Sequence, residues 1–299
     1  MRLDPVLRCV RPAVLALFAL APIGGAVPAL AEQPAAAAPK ADACARADFR
    51  VVVDVGHTVA VPGATSARGV SEYTFNLALG TKIKDALTTA GFRATTLMIT
   101  ATAPWRGLVE RAARANAMHA NLFIAIHHDS VPDNLLKSWQ YEGQDQHYND
   151  DYPGYAIFIS NANPDRAASL QFGSLLGREL QARGEHYTPH YTLALMGHRR
   201  RILVDAQNGV YRYDQLIVLR DTRMPAVLLE AGSIVNRDEE LQLATPERQA
   251  LTSAAVAAAV EDFCAARAAV AAARATAKAK PKPIANPMVK RVSQPPAPR

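Results

Sequence analysis

Four residues able to bind a metal or move a proton stand where apolar segments begin or end. His57 closes "RVVVDVGH", His127 closes "NLFIAIH" with His128 and Asp129 directly behind it, Glu72 opens "EYTFNLALG", and Glu230 follows "AVLL". Two imidazoles and one carboxylate leave a fourth tetrahedral position to water, the open arrangement of a catalytic zinc site. Bound Zn2+ brings the pKa of such a water toward ~7 and polarises a carbonyl under attack. A further carboxylate is then needed to take the water's proton and pass it to the leaving group, and Glu230 is the candidate. Taken singly, each residue has a plainer reading. A His after a strand is usually a satisfied loop residue, Glu72 suits the positive end of a helix, and Glu230 suits a buried ion pair. The chemistry follows only where the fold brings the four together.

Positioning them falls to the elements between Asp48 and Cys264. "RVVVDV", "FRATTLMIT", "NLFIAIHH", "GYAIFISN" and "PAVLLEAGS" read as strands. Between them lie amphipathic stretches: "EYTFNLALGTKIKDALTTAG", with Phe75, Leu79, Ile83 and Leu87 at helical spacing, then "LVERAARANAMHA" and "RAASLQFGSLLGRELQARG". "TPERQALTSAAVAAAVEDFC" closes the series as a helix opening on a Thr-Pro cap. Strands alternating with helices predict an α/β sandwich, a single three-layer domain with a mostly parallel central sheet and helices on both faces. In such sheets function gathers at the carboxyl ends of strands, where His57, His127 and Glu230 stand.

The flanks read differently. Arg2, Arg8 and Arg11 precede the apolar run Ala13 to Leu20, and Ala29-Leu30-Ala31 offers a small-residue cleavage site, so residues 1–31 read as a secretory signal peptide. Pro22, Gly24, Gly25 and Pro28 break the run short of a membrane span. Residues 32–47 form an Ala/Pro-rich linker, and 265–299 a basic tail expected to be disordered. From Ala266 on, that tail holds eight basic residues and no acidic one against a whole-chain charge of +6, leaving about −2 for the rest. The bulk of the chain is therefore no nucleic-acid binder, and the tail alone is suited to an anionic envelope surface. Export to a periplasmic or secreted location makes Cys44 and Cys264, which bracket the predicted domain, a disulfide candidate.

The series "VVVDVGH", "SEYTFNLAL", "LVERAARANAMHANLFIAIHHDS" and "MPAVLLEAGSIVNRDEE" resembles, in order and spacing over about residues 50 to 264, the zinc-dependent N-acetylmuramoyl-L-alanine amidases of the type 3 amidase family. The resemblance implies Zn2+ held by His57, Glu72 and His127, Glu230 as the catalytic residue, and peptidoglycan or muropeptides as substrate. His128 replaces the family's usual small residue, which casts it as support for a ligand or as substrate-facing. Asp129 stands where Asn is common and is expected to orient a neighbouring imidazole. The chain departs from the family in lacking Gly-Gly after His57 and in carrying "EAGSIVN" after the last strand. Residues 131–155 form an aromatic insertion whose Trp139 and Tyr141 are expected to border the cleft as a lid or saccharide platform. No wall-binding repeat is visible, and the sequence names no regulatory protein partner. Two other readings use the same residues: a non-catalytic wall-binding or regulatory protein, and a zinc peptidase acting on stem peptides.

Overall fold

The computed structural model describes residues 44–101 and 104–279. The predicted signal peptide, most of the linker and residues 280–299 lie outside them. In chain order the strands are β1 (Val51–Val55), β2 (Thr96–Met98), β3 (Leu122–Asp129), β4 (Lys137–Tyr141), β5 (Gln144–Tyr148), β6 (Ala156–Ile159), β7 (Ile202–Asp205), β8 (Val210–Arg212) and β9 (Ala226–Ser233). The helices are α1 (Glu72–Thr89), α2 (Pro104–Ala117), α3 (Arg166–Gln181), α4 (Ile217–Arg220), α5 (Arg237–Leu243) and α6 (Pro246–Ala279). Seven strands form one sheet in the order β2-β1-β3-β9-β6-β8-β7. β2, β1, β3 and β9 run parallel, β6 pairs antiparallel to β9, and β7 antiparallel to β8. The three-layer α/β expectation holds, with the antiparallel pairings confined to one half of the sheet.

β1, β3 and β9 are almost continuously apolar because both faces of the sheet are covered. Alternate residues feed two cores. Val51, Val53, Leu122, Ile124 and Ile126 pack under α1, α3 and α6 through Leu79, Ile83, Phe172, Leu176, Val256 and Phe263. Val52, Phe123, Ala125 and Leu228 face the other way, toward Ala115 of α2, Val218 and Leu219 of α4, and Tyr191 and Met196 of the segment before β7. Among the described residues no helix is long and apolar enough to cross a membrane.

One expectation gains a definite form and one needs correction. The aromatic insertion is an antiparallel hairpin, β4 on β5, closed by Glu142 and Gly143 with φ of 50° and 76°. Positive φ at both turn residues matches the twist of the flanking strands and suits a two-residue turn. The tail is helical at its start, since α6 runs beyond Cys264 to Ala279. Its alanines and arginines are strong helix formers, and the docked part of α6 has already met the cost of nucleation.

Candidate metal centre

His57 stands two residues beyond the end of β1, and its φ of 64° lies in the left-handed region. Arg111 of α2 holds it there: one guanidinium donates to the carbonyls of Val55 and His57 and pairs with Asp54 at 2.6 Å. Gly56 lets that strand end approach β3, for a Cβ there would lie 2.4 Å from His127 Nε2. Gly63 does the same for the loop, its φ of +82° joined to an imaginary Cβ 2.4 Å from Glu72 Oε2.

Glu72 is the first residue of α1 and is buried. Its Oε1 lies 2.9 Å from His127 Nδ1 and its Oε2 3.0 Å from His57 Nε2. Ala64 N–H donates to Oε2 at 3.1 Å and the Asn76 amide to Oε1 at 3.1 Å. Burial opposes ionisation of Glu72, but the hydrogen bonds from His127 and His57 outweigh it and hold its pKa well below the usual carboxylate value. Burial lowers the pKa of His127, which favours the neutral ring that ligates metals. The donor atoms of His57, Glu72 and His127 all lie within 4.8 Å of one another. Two imidazole nitrogens and a carboxylate oxygen are a donor set that zinc takes, so the residues fit the ion.

Glu230 sits on β9 directly opposite His127 of β3. The register slips immediately after this pair, between His127 and Asp129, a bulge of the kind that re-aims side chains beside active sites. Glu230 Oε2 is buried without a hydrogen-bond partner. Burial pushes the Glu230 pKa well above its ordinary value, with the charges of Asp129 and Glu72 adding to it and Arg199 opposing.

The other expected residues fall around this group. His128 is 3% exposed and donates from Nδ1 to Asn76 Oδ1 at 2.8 Å, and so reaches Glu72 through that amide. Burial drops its pKa to about 3. Asp129 accepts from Tyr191 Oη and from Ser130 N, both at 2.7 Å. The imidazole nearest its carboxylate in an ion-pair geometry is His190 at 3.6 Å, and no such contact to His127 or His128 accompanies it among the described residues. Burial raises the Asp129 pKa to about 7. Trp139 and Tyr141 stack at 5.4 Å on the hairpin face that meets Arg68, and the Trp139 indole donates to the Ala67 carbonyl at 2.8 Å. Arg111, Asn76 and Arg199 escaped sequence reasoning. Only Arg199 carried a signal, the basic run "HRRR" at 198–201.

Residues 51–262 match the family model described as N-acetylmuramoyl-L-alanine amidase, Amidase_3. The chain belongs to that family and shares its enzyme class. Its fold is also that of several solved amidases. N-acetylmuramyl-L-alanine amidase Ami1 from Mycobacterium smegmatis is 18% identical, with 73% of this chain and 98% of that one covered at a TM-score of 0.55. The catalytic domain of CwlV from Bacillus (Paenibacillus) polymyxa var. colistinus is 24% identical, with 71% and 96% covered at 0.51. The CwlD amidase from Clostridioides difficile, solved in complex with the GerS lipoprotein, is 19% identical, with 73% and 100% covered at 0.53. At these identities the likeness speaks for the fold. No curated protein sequence matches the chain.

Proposed function

We propose that the chain, exported by its N-terminal signal peptide, hydrolyses the amide between the lactyl group of N-acetylmuramic acid and L-alanine in peptidoglycan. His57, Glu72 and His127 hold Zn2+ in this reading, and Glu230 is the proton carrier. The observation that supports it best is the meeting of those three donor groups beside an unpartnered carboxylate on the adjoining strand. Zn2+, when bound, supplies a Lewis acid and makes water a nucleophile near neutral pH.

The protein's own groups do the rest. Glu230 Oε2 takes the proton of the attacking water and returns it to the departing amide nitrogen. Its raised proton affinity suits the first half of that exchange, and its burial keeps the proton from bulk solvent. Asn76 and His128 fix the Glu72 carboxylate, while Arg111 fixes the backbone of His57. The hairpin carrying Trp139 and Tyr141 packs on Ala67 and Arg68, just ahead of α1, and is the proposed contact for polymeric wall.

The test is digestion of purified peptidoglycan by the zinc-loaded protein, with mass spectrometry of the products. Free glycan and peptides beginning at alanine are expected. Cuts inside the peptides would make it a stem-peptide peptidase, and binding without release would make it a wall-binding protein.

A further inference from the structure

The cavity beside Glu230 holds about 270 Å³, and its walls include His127 as well as Arg199, Arg201 and Tyr213. Arg199 is already engaged. It donates to the Ser130 carbonyl at 2.8 Å and stands 3.9 Å from Asp129.

Arg201 is not. Its guanidinium lies 3.7 Å from the centroid of the Tyr213 ring, and Nη1 donates to the carbonyls of His198 and Arg200 at 2.8 and 2.9 Å. Nε is buried with no hydrogen-bond partner, and among the described residues no carboxylate pairs with this side chain. A cation on the wall of this cavity, held through Nη1 and an aromatic face and without a carboxylate partner, is prepared for an anion. The planar guanidinium matches a carboxylate with two parallel hydrogen bonds.

The chemistry of the substrate says which anion. Muramic acid has one carboxyl group, on its lactyl arm, and that group is tied up in the bond to be cut. The N-acetylated glycan half is therefore uncharged, whereas the peptide half carries free carboxylates. We propose that Arg201, braced on Tyr213, binds a free carboxylate of the peptide half and so sets on which side of the cleft the peptide lies. This rests on the amidase reading above and extends it to the recognition of acidic stem peptides.

Two pairs of synthetic muramyl peptides test it, using the zinc-loaded full chain. One pair differs by carboxylate or carboxamide on the residue after alanine, the other by the same change at the peptide's C-terminus. A charged hydrogen bond of this kind corresponds to about ten- to a hundred-fold in kcat/KM, so one pair should show a preference of that size for the carboxylate, carried in KM. That pair identifies the group bound. In Arg201→Gln the ratio within the pair should fall to near one, and Arg201→Lys, which keeps the charge and loses the fork, should lie between. A wild-type enzyme indifferent in both pairs would overturn the proposal. So would an Arg201→Gln variant that slows all four substrates equally, since that describes a structural residue.

A second readout needs no turnover: calorimetric binding of alanyl peptides, carboxylate and carboxamide, to the metal-free chain. Wild type should favour the carboxylate and Arg201→Gln should not. Failure of the wild type to cut any muramyl peptide counts against the amidase reading, whereas equal binding of the two peptides counts against Arg201.

Discussion

Glu72 is ionised because two imidazoles and the amides of Ala64 and Asn76 converge on its oxygens, whereas Glu230, two strands along the sheet from β1, lacks such partners and keeps a high proton affinity. In the proposed reading the same side chain thus serves as a ligand in one place and as a proton carrier in the other. Glu230→Gln should retain one equivalent of zinc while its turnover falls by about 10² to 10⁴. Loss of metal along with activity would make Glu230 a ligand. His57→Ala or His127→Ala should lose both, and elemental analysis separates the two classes. His128 gives a pH prediction. The unfolded chain protonates this ring near 6.5, but the folded protein not until about 3. Because the folded pKa is lowered, the stabilisation is complete above 6.5 and is lost as pH falls toward about 3. Lowering the pH to 5 should therefore cost the wild type about 2 kcal/mol that His128→Gln does not lose. Urea midpoints of the metal-free proteins at the two pH values give the answer, and parallel profiles would sink the assignment.

At the scale of elements, the contact between α2 and β1 carries more than packing. Arg111 and Asp54 are both almost fully buried, and the same guanidinium caps the strand and holds the carbonyl of His57. Arg111→Met leaves Asp54 a buried carboxylate without its partner, and removing one member of such a pair costs about 3–5 kcal/mol. Zinc affinity should fall as well, because His57 then loses the group that fixes its positive φ. A variant less stable in urea but unchanged in zinc titration would limit Arg111 to a structural role. The β4-β5 hairpin is anchored through Trp139, which contacts Ala67, Arg68 and Arg237. Trp139→Ala should accelerate amide exchange across residues 137–148 with zinc content intact.

The elements that carry the ligands were legible in sequence because their apolar runs are long: β1, β3, β9 and α1 lie where the pattern put them. β7, β8, α4 and α5 were not, since three- to seven-residue pieces show too little periodicity to rise above loop. Strand direction was hidden too. Nothing local distinguishes β6 paired antiparallel to β9 from a strand paired parallel. The proposed ligand set rests on residue type and on position at a strand end or helix start, which sequence preserves, whereas Arg111 and Asn76 act through backbone carbonyls and amides brought together by the fold.

Over the whole molecule, Cys44 and Cys264 are bonded, with a Cα–Cα distance of 5.5 Å and a sequence separation of 220. The bond joins the entrance of the described domain to α6, and neither cysteine is among the proposed metal ligands. For a loop of this size the chain-entropy model allows about 5 kcal/mol. Reduction should therefore lower the melting temperature and leave zinc affinity as it was; a fall in affinity would tie the bond to the site. The cross-link also decides how the molecule carries mechanical load. Tension applied to the chain just outside the two cysteines passes through a single covalent bond, and the sheet between them bears none of it. An enzyme pulled from both flanks would keep its catalytic domain folded at forces that unzip an unbridged sheet. In a single-molecule pulling experiment, the oxidised protein should release no length from this region. The reduced protein should yield roughly 700 to 800 Å of contour, the span of that many residues at about 3.3–3.6 Å each.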